Sequence, residues 1–356
     1  MITSTTTKRK PLAESKRTRI AHALETLGLL DRLLWLRGKL RTPVITALTY
    51  HRVADAAQIG ELDPEVAETD AAGFAEQIAV IKQNSTIVSL SEVRLFLRGK
   101  RLPPNPVLIG FDDGYADCHD VALPILQKAG VTGTFFVPTA YPGSGRLFAW
   151  DRIRMIIGRS KAESIKLSYP VPLHLELRKD PEEAKRRLLW FVKRTPGIDI
   201  DRLWEELEGA TGVHIDPDEE RDLASRTIMG WDKVRRLHDA GMSVQSHSHT
   251  HRVLSTMTPD EARRDLQLSR KILSEVLEHD VRTVAYPVGH RLSPPFMRAV
   301  RDAGFDLGFL NNAGLCVVPR VDPLNVPRIA VDRDHVGALY RLLLLVGTRP
   351  HPLTVA

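Results

Sequence analysis

The sequence predicts an α/β fold, a distorted (β/α) barrel of about seven parallel strands carrying a mainly helical insertion and preceded by an amphipathic helix. Three observations predict it. From residue 44, β-rich apolar runs alternate with helical stretches. The runs are apolar almost throughout, as strands covered on both faces are. Polar residues of chemical interest fall at the ends of several runs, where barrels place functional groups.

The elements follow in order. VITALTYHRV (44–53) is β-rich, and GFAEQIAVIKQ (73–83) is helical. TIVSL forms a short strand, and SEVRLFLRG a helix opened by a serine cap and closed by glycine. NPVLIGFDDG (105–114) is an apolar run ending in two acids, then DVALPILQKAG is a helix and VTGTFFVP a strand. After a long break, MGWDKVRRLHDAG, MSVQSH, PDEARRDLQLSRKILSEVLE, TVAYP, SPPFMRAVRDAG, DLGFLN and VPRIAVDR resume the alternation, and HVGALYRLLLLV ends it. Across residues 144–228 the strand rhythm lapses. PEEAKRRLLWFVKRT and DIDRLWEELEGA read as amphipathic helices there, so this stretch is an insertion in a barrel spanning 44–340.

The net charge of +6 is not spread evenly. Residues 1–41 hold ten basic and three acidic side chains, +7, and the remaining 315 residues sum to about −1. The basic arm therefore sets the charge, and nucleic acid binding by the main body has little support. Residues 1–17 are polar and read as disordered, whereas 18–41 place Ile20, Leu24, Leu27, Leu30 and Leu34 near helical spacing. Two readings of this helix stand: its leucine face packs on the barrel, or it lies on an anionic membrane surface. Glu25, Asp31 and Arg32 interrupt any signal-peptide core, and the segment is too short and charged to span a bilayer. A cytoplasmic protein, with or without peripheral membrane contact, is the expectation. Cys118 and Cys316 are too few for a disulfide framework and lack zinc-ligand spacing.

Four polar constellations sit at strand ends: Tyr50-His51, Asp112-Asp113, the QSHSHTH segment with His247, His249 and His251, and Tyr286-Pro287. An acid pair can be a helix cap, and a lone histidine is usually structural. Three histidines in five residues beside an acid pair favour a metal site. If the histidine segment is extended, all three share a face; if a helical turn begins there, only His247 and His251 do. One carboxylate and two imidazoles leave a position open for water, and a second carboxylate can act as general base. Metal-assisted hydrolysis of an acyl group follows as the reaction class.

The order FDDG, HSHTH, AYPVG, with TYHRV, GTFFV and VPRIAV, resembles the polysaccharide deacetylases that share the NodB homology domain (carbohydrate esterase family 4), over roughly residues 44–334. The resemblance implies removal of acetyl groups from N-acetylated sugars by a divalent metal, with zinc the first choice and iron, cobalt or nickel accepted by the same donors. It implies Asp112 as general base and Asp113, His247 and His251 as metal ligands, with no role for His249. Gly114 would permit the turn after the acids. Two motifs depart from the family. Its Arg-x-Pro-Tyr is replaced by Ala285-Tyr286-Pro287-Val288, so the arginine that orients the base is missing, although the Val288 backbone N–H can still serve as oxyanion donor. Its late Leu-x-His is not visible.

His51, in the early Tyr-His-x-Val motif of what looks like a subgroup, is the candidate general acid; His290 and His335 are weaker alternatives. Arg328 of VPRIAV is a candidate replacement for the missing arginine, with a structural ion pair as the other reading. Trp150-Asp151 and Trp231 read as core rather than as sugar contacts. The implied partner is an acetylated glycan. An O-acetyl esterase and a non-catalytic glycan-binding barrel are the alternatives.

Overall fold

The computed structural model describes residues 16–311 and 314–347. The predicted arm 1–17 lies outside them except for Lys16 and Arg17, which begin the first helix. A nine-stranded sheet organises the chain. Its strands are β1 (Val44–Tyr50), β2 (Thr86–Ile87), β3 (Pro106–Phe111), β4 (Thr134–Val137), β5 (Ser243–Ser246), β6 (Thr283–Ala285), β7 (Leu307–Phe309), β8 (Cys316–Val317) and β9 (Ile329–Ala330). The spatial order is β7-β6-β5-β4-β3-β1, with β9 parallel to the end of β1, β8 antiparallel to its start and β2 on the start of β3. A parallel bridge from Phe309 to Val326 ties β7 to the segment leading into β9. The sheet thus curls round until its last strands return to its first, the distorted parallel barrel expected from the sequence.

The strands read as continuous apolar runs because both faces are covered. Ala47, Leu108, Phe136, Ala285 and Phe309 form one cluster with the helix Leu90–Leu97. The alternate residues Leu48, Tyr50, Ile109, Phe111, Phe135 and Val137 pack with Phe74 and Ile78 of the helix Ala71–Asn84 and with Val234 and Leu266 of later helices. Phe111 stacks on Phe135 at 4.6 Å between ring centres. The helix Leu90–Leu97 begins at a full capping box, with Ser89 and Glu92 exchanging hydrogen bonds.

The insertion holds the helices Ala149–Arg159, Pro181–Arg194, Ile200–Thr211 and Pro217–Thr227. It also holds an antiparallel hairpin, Ser164–Leu167 with Leu173–Glu176, which the sequence reading did not anticipate. The hairpin buries Ile165, Leu167, Leu173 and Leu175 and exposes the residues between them. These belong to a second core with Ile156, Leu188 and Leu207, which also takes in Ile59, Leu62 and Ala67 from the loop after β1. The insertion is therefore packed onto the barrel's own loop.

The single helix expected over 18–41 is two helices, Lys16–Thr26 and Leu29–Lys39, separated at Gly28 with φ 63°. Only glycine takes that left-handed conformation at little cost. Ala21 packs with Ala338 and Leu342 of the last helix, Gly337–Val346, and Leu30 and Leu34 are buried. Arg37 anchors the second helix through Asn105 Oδ1 at 2.8 Å and Thr46 Oγ1 at 3.0 Å. A different set, Leu29, Leu33, Leu36 and Leu40, stays exposed. No described helix is long and apolar enough to cross a membrane.

Candidate metal centre and active site

Every strand carrying a candidate residue delivers it to the same end of the barrel. β3 ends at Phe111, and the chain turns at once. Asp113 has φ 69° and Gly114 φ 73°. The Gly114 N–H donates to the Asp112 carbonyl at 2.9 Å. A left-handed aspartate is uncommon and marks a position where the surrounding fold enforces the backbone. The turn aims two adjacent carboxylates into one cleft with different surroundings.

Asp113 Oδ1 lies 3.2 Å from His247 Nε2 and 3.0 Å from His251 Nε2. One ligand atom from each of these residues falls within 4.8 Å of the others, a donor set that fits a divalent cation. His247 Nδ1 is 2.8 Å from the Ala285 carbonyl, which fixes it as a protonated nitrogen and aims Nε2 at Asp113. Burial lowers the His251 pKa despite the opposing Asp113 carboxylate, and a neutral ring is the form that ligates. Burial works against ionised Asp113 too, but its hydrogen bonds from His247 and His251 hold it well below the usual carboxylate range.

The histidine segment is neither extended nor a helical turn. Ser248 and His251 are left-handed, at φ 65° and 58°. His249 thereby leaves the site, and its Nδ1 bonds Thr139 Oγ1 at 2.8 Å. Asp265, from the helix Pro259–Leu277, clamps the turn by accepting His249 N at 2.8 Å, Thr250 N at 3.0 Å and Thr250 Oγ1 at 2.6 Å.

Asp112 is held by Arg328, whose Nη1 and Nη2 donate to its two oxygens at 2.8 and 2.6 Å. Arg328 is fully buried, stacked between Phe136 and Phe309, with its Nε donating to the Leu310 carbonyl at 2.9 Å. A chain position just before β9 thus brings an arginine onto the base that the third motif lacks. Burial opposes ionisation of Asp112, yet the Arg328 guanidinium keeps its pKa lowered.

His51 also lines the cleft, in a cavity of about 290 Å³ with Asp112, Asp113, His247, His251 and Val288. Its Nδ1 is 2.6 Å from Glu68 Oε1, while Glu68 Oε2 accepts the His51 N–H at 2.9 Å and the Arg52 N–H at 3.0 Å. Burial disfavours the charged ring, but the Glu68 carboxylate outweighs it and raises the pKa to about 9. Glu68 and Asp265 were missed by sequence reasoning because neither sits in a motif. The spacing of Glu68 to His51 carries no signal before the short pairing of Arg52–Val53 with Ala67–Thr69 is known.

The remaining candidates separate. Val288 is left-handed at φ 62° and lines the cavity. Tyr286 is buried, and its hydroxyl donates to the Leu324 carbonyl at 2.9 Å. His290 and His335 are absent from the cavity wall; His335 Nδ1 instead accepts the Asp332 N–H at 3.0 Å. Trp150, read as core from the sequence, is buried and yet lines the cleft, its ring 5.2 Å from that of His251 and its Nε1 donating to Tyr115 Oη at 2.7 Å. Asp151 is turned away to accept the Asp63 N–H at 2.8 Å. Trp231 packs partly buried against the main core.

A curled parallel barrel with an Asp-His-His triad that fits a divalent cation and a second carboxylate beside it can support metal-assisted hydrolysis. The profile of the family described as polysaccharide deacetylase matches residues 99–164 and 210–308, leaving out the middle of the insertion. Over these two stretches the chain is similar to the polysaccharide deacetylases, the hydrolases of carbohydrate esterase family 4. No curated protein matches it.

Among solved structures it is similar to the Streptococcus pyogenes deacetylase PplD in complex with acetate, at 17% identity and TM-score 0.55 over 85% of this chain and 98% of that one. It is also similar to a de-N-acetylase from Aggregatibacter actinomycetemcomitans, at 17% identity and TM-score 0.53 over 84% and 99%. The polysaccharide deacetylase BC0361 from Bacillus cereus matches at 15% identity and TM-score 0.52 over 85% and 68%. At such identities these likenesses speak for the fold.

Proposed function

We propose that the protein removes the acetyl group from an N-acetylhexosamine unit of a glycan by hydrolysis at the cleft around Asp112 and Asp113. The observation that carries this reading is the opposite pairing of two groups lining one cavity: Asp112 meets the Arg328 guanidinium, which favours its ionised form, and His51 meets the Glu68 carboxylate, which favours its protonated form. Widely separated acid and base assignments are what general acid–base hydrolysis needs.

Asp113, His247 and His251 would hold the ion, zinc by preference and iron, cobalt or nickel by the same donors. A divalent ion there supplies Lewis acidity to the acetyl carbonyl and acidifies water. Asp112 takes the proton from the water that attacks the carbonyl carbon. Val288 lines the cleft, where its backbone N–H would donate to the developing oxyanion. His51 gives its Nε2 proton to the sugar nitrogen as the C–N bond breaks, releasing acetate and the free amine. The charged state of His51 favours amide over ester substrates, because an amine leaving group must be protonated and an alkoxide leaves more readily without help.

The test is acetate release from N-acetylated and O-acetylated glycans, with metal stripped and then restored. Release from N-acetylated substrates, lost with the metal and regained with it, is expected. Asp112→Asn should lower it by about 10²–10⁴ with metal still bound. Exclusive release from O-acetylated substrates selects the esterase reading, and binding without release selects the non-catalytic barrel.

We further propose that the helix Leu29–Lys39 rests on an anionic lipid surface. Leu29, Leu33, Leu36 and Leu40 recur at helical spacing on an exposed face, flanked by Arg32, Lys39 and Trp35. Co-sedimentation with anionic vesicles should fall sharply in Leu33→Glu/Leu36→Glu. Equal recovery with the parent chain, or recovery on neutral vesicles alone, rules the surface out.

A further inference from the structure

We propose that the cleft between barrel and insertion binds an anionic group, a carboxylate or phosphate carried by the substrate next to the scissile amide, through Lys193 and Arg252. This rests on the deacetylase reading of the adjoining site. A second cavity, of about 520 Å³, shares Trp150, Leu189, Lys193, His251 and Val288 with the metal-side cavity, so a substrate unit held at the metal site continues into it. Its far wall is the insertion, including Trp204 of the helix Ile200–Thr211.

The charges lining this second cavity are unevenly satisfied. Glu208 and Glu220 both clasp Arg152, at 2.6 Å each, and Glu220 also accepts the Leu147 N–H at 3.0 Å. Asp201 and Glu205 are exposed at the mouth, as is Arg146. Two cations are left over: Lys193, on the wall shared by both cavities, and Arg252, which follows His251 in the chain. Lys193 forms no ion pair among the described residues, and its Nζ lies 5.9 Å from the centre of the Trp150 ring. Lys185 of the same helix, by contrast, meets Asp63, Glu65 and Glu182 at 3.0–3.2 Å. Arg252 Nε is buried with no partner, and its Nη2 reaches only the Thr256 carbonyl, at 3.5 Å.

The buried Arg252 Nε without an acceptor is costly, and Lys193 is a half-buried cation without an ion pair, so an anion reaching both relieves the two at once. Burial also depresses the Lys193 pKa, a penalty that an anionic ligand reverses. Bidentate recognition by a guanidinium beside an ammonium suits planar carboxylate and tetrahedral phosphate alike.

The experiment uses the metal-loaded full chain carrying Asp112→Asn, so that binding is read without turnover. Calorimetry compares a neutral N-acetylated oligosaccharide, one of equal length with alternating uronate units, and N-acetylhexosamine 1-phosphate. At least one anionic ligand should bind about tenfold tighter than the neutral one, with the preference weakening as salt rises. The two anionic arms tell carboxylate from phosphate. Adding Lys193→Gln and Arg252→Gln should abolish the preference, and Lys193→Arg should retain it. Equal affinity for neutral and anionic ligands overturns the proposal, as does a preference that survives the double substitution. A wild-type chain that binds the acidic glycan but releases no acetate refutes the deacetylase reading and leaves this one standing.

Discussion

The two walls of the cleft treat charge differently. On the barrel wall, Asp112, Asp113 and His51 each meet a dedicated partner within 3.2 Å, and Arg328 spends all three of its nitrogens. Around the adjoining second cavity, Lys193 of the insertion has no ion pair among the described residues, and Arg252, which follows His251 on the barrel, leaves its Nε unmet. The barrel wall is organised before any substrate arrives, which is what stabilising a transition state requires. The second cavity keeps these donors open, which is what selecting a ligand requires. On the proposed reading, chemistry and choice of substrate fall to separate sets of side chains.

If that division holds, variants on the barrel wall lose rate in proportion to how much of the prepared charge they remove. Arg328→Ala should cost most. It strands a buried carboxylate, at about 3–5 kcal/mol of stability, and lowers the rate by about 10²–10³. Arg328→Lys should recover part of both, since it restores charge but not the two-pronged geometry. Thermal melting and steady-state kinetics on the same preparations check this, and an Arg328→Ala protein with full rate would show the barrel wall is not prepared at all.

Glu68→Gln should act next, and through pH. The His51 pKa is raised to about 9, above its ordinary 6.5, so the acid form and the stability it brings are complete below about 6.5 and are lost as pH rises through about 9. Removing the carboxylate leaves burial, which lowers the pKa, opposed only by the lesser pull of Asp113 and Asp112. The basic limb of the kcat/KM profile should therefore move down, with about tenfold lost at pH 8 and little at pH 6. A basic limb that stays in place would take His51 out of the acid role.

His249→Ala is the smallest. It breaks the bond to Thr139, worth about 1 kcal/mol, and should leave metal affinity unchanged in a metal titration. A large loss of affinity would mean the turn, not just the two ligands, is part of the prepared wall.

The Asp-His-His cluster and the acid beside it were legible in the sequence because they sit in short contiguous motifs at strand ends: FDDG gives Asp112 and Asp113, and HSHTH gives His247 and His251. The strand–helix rhythm was legible for the same reason, since apolar period and caps are local. What the sequence hid depends on distant pairing. Glu68 reaches His51 only through the Ala67–Thr69 strand, and Asp265 reaches the histidine turn from the middle of a long helix. Lys193 looked like one more charge on an amphipathic helix. The hairpin at 164–176 was overlooked although its apolar residues alternate, because its strands are only four residues each and lie among helices. The break at Gly28 needed the φ value, since a lone glycine inside a helical pattern is often tolerated.

The Arg328–Asp112 clasp joins residues 216 positions apart. A ribosome emits Asp112, Asp113, His247 and His251 before it emits Arg328. Until Arg328 arrives, and β9 behind it pairs with the end of β1, the Asp112 carboxylate lacks its guanidinium partner, so distant stretches of chain must meet before the cleft takes its arrangement of charge.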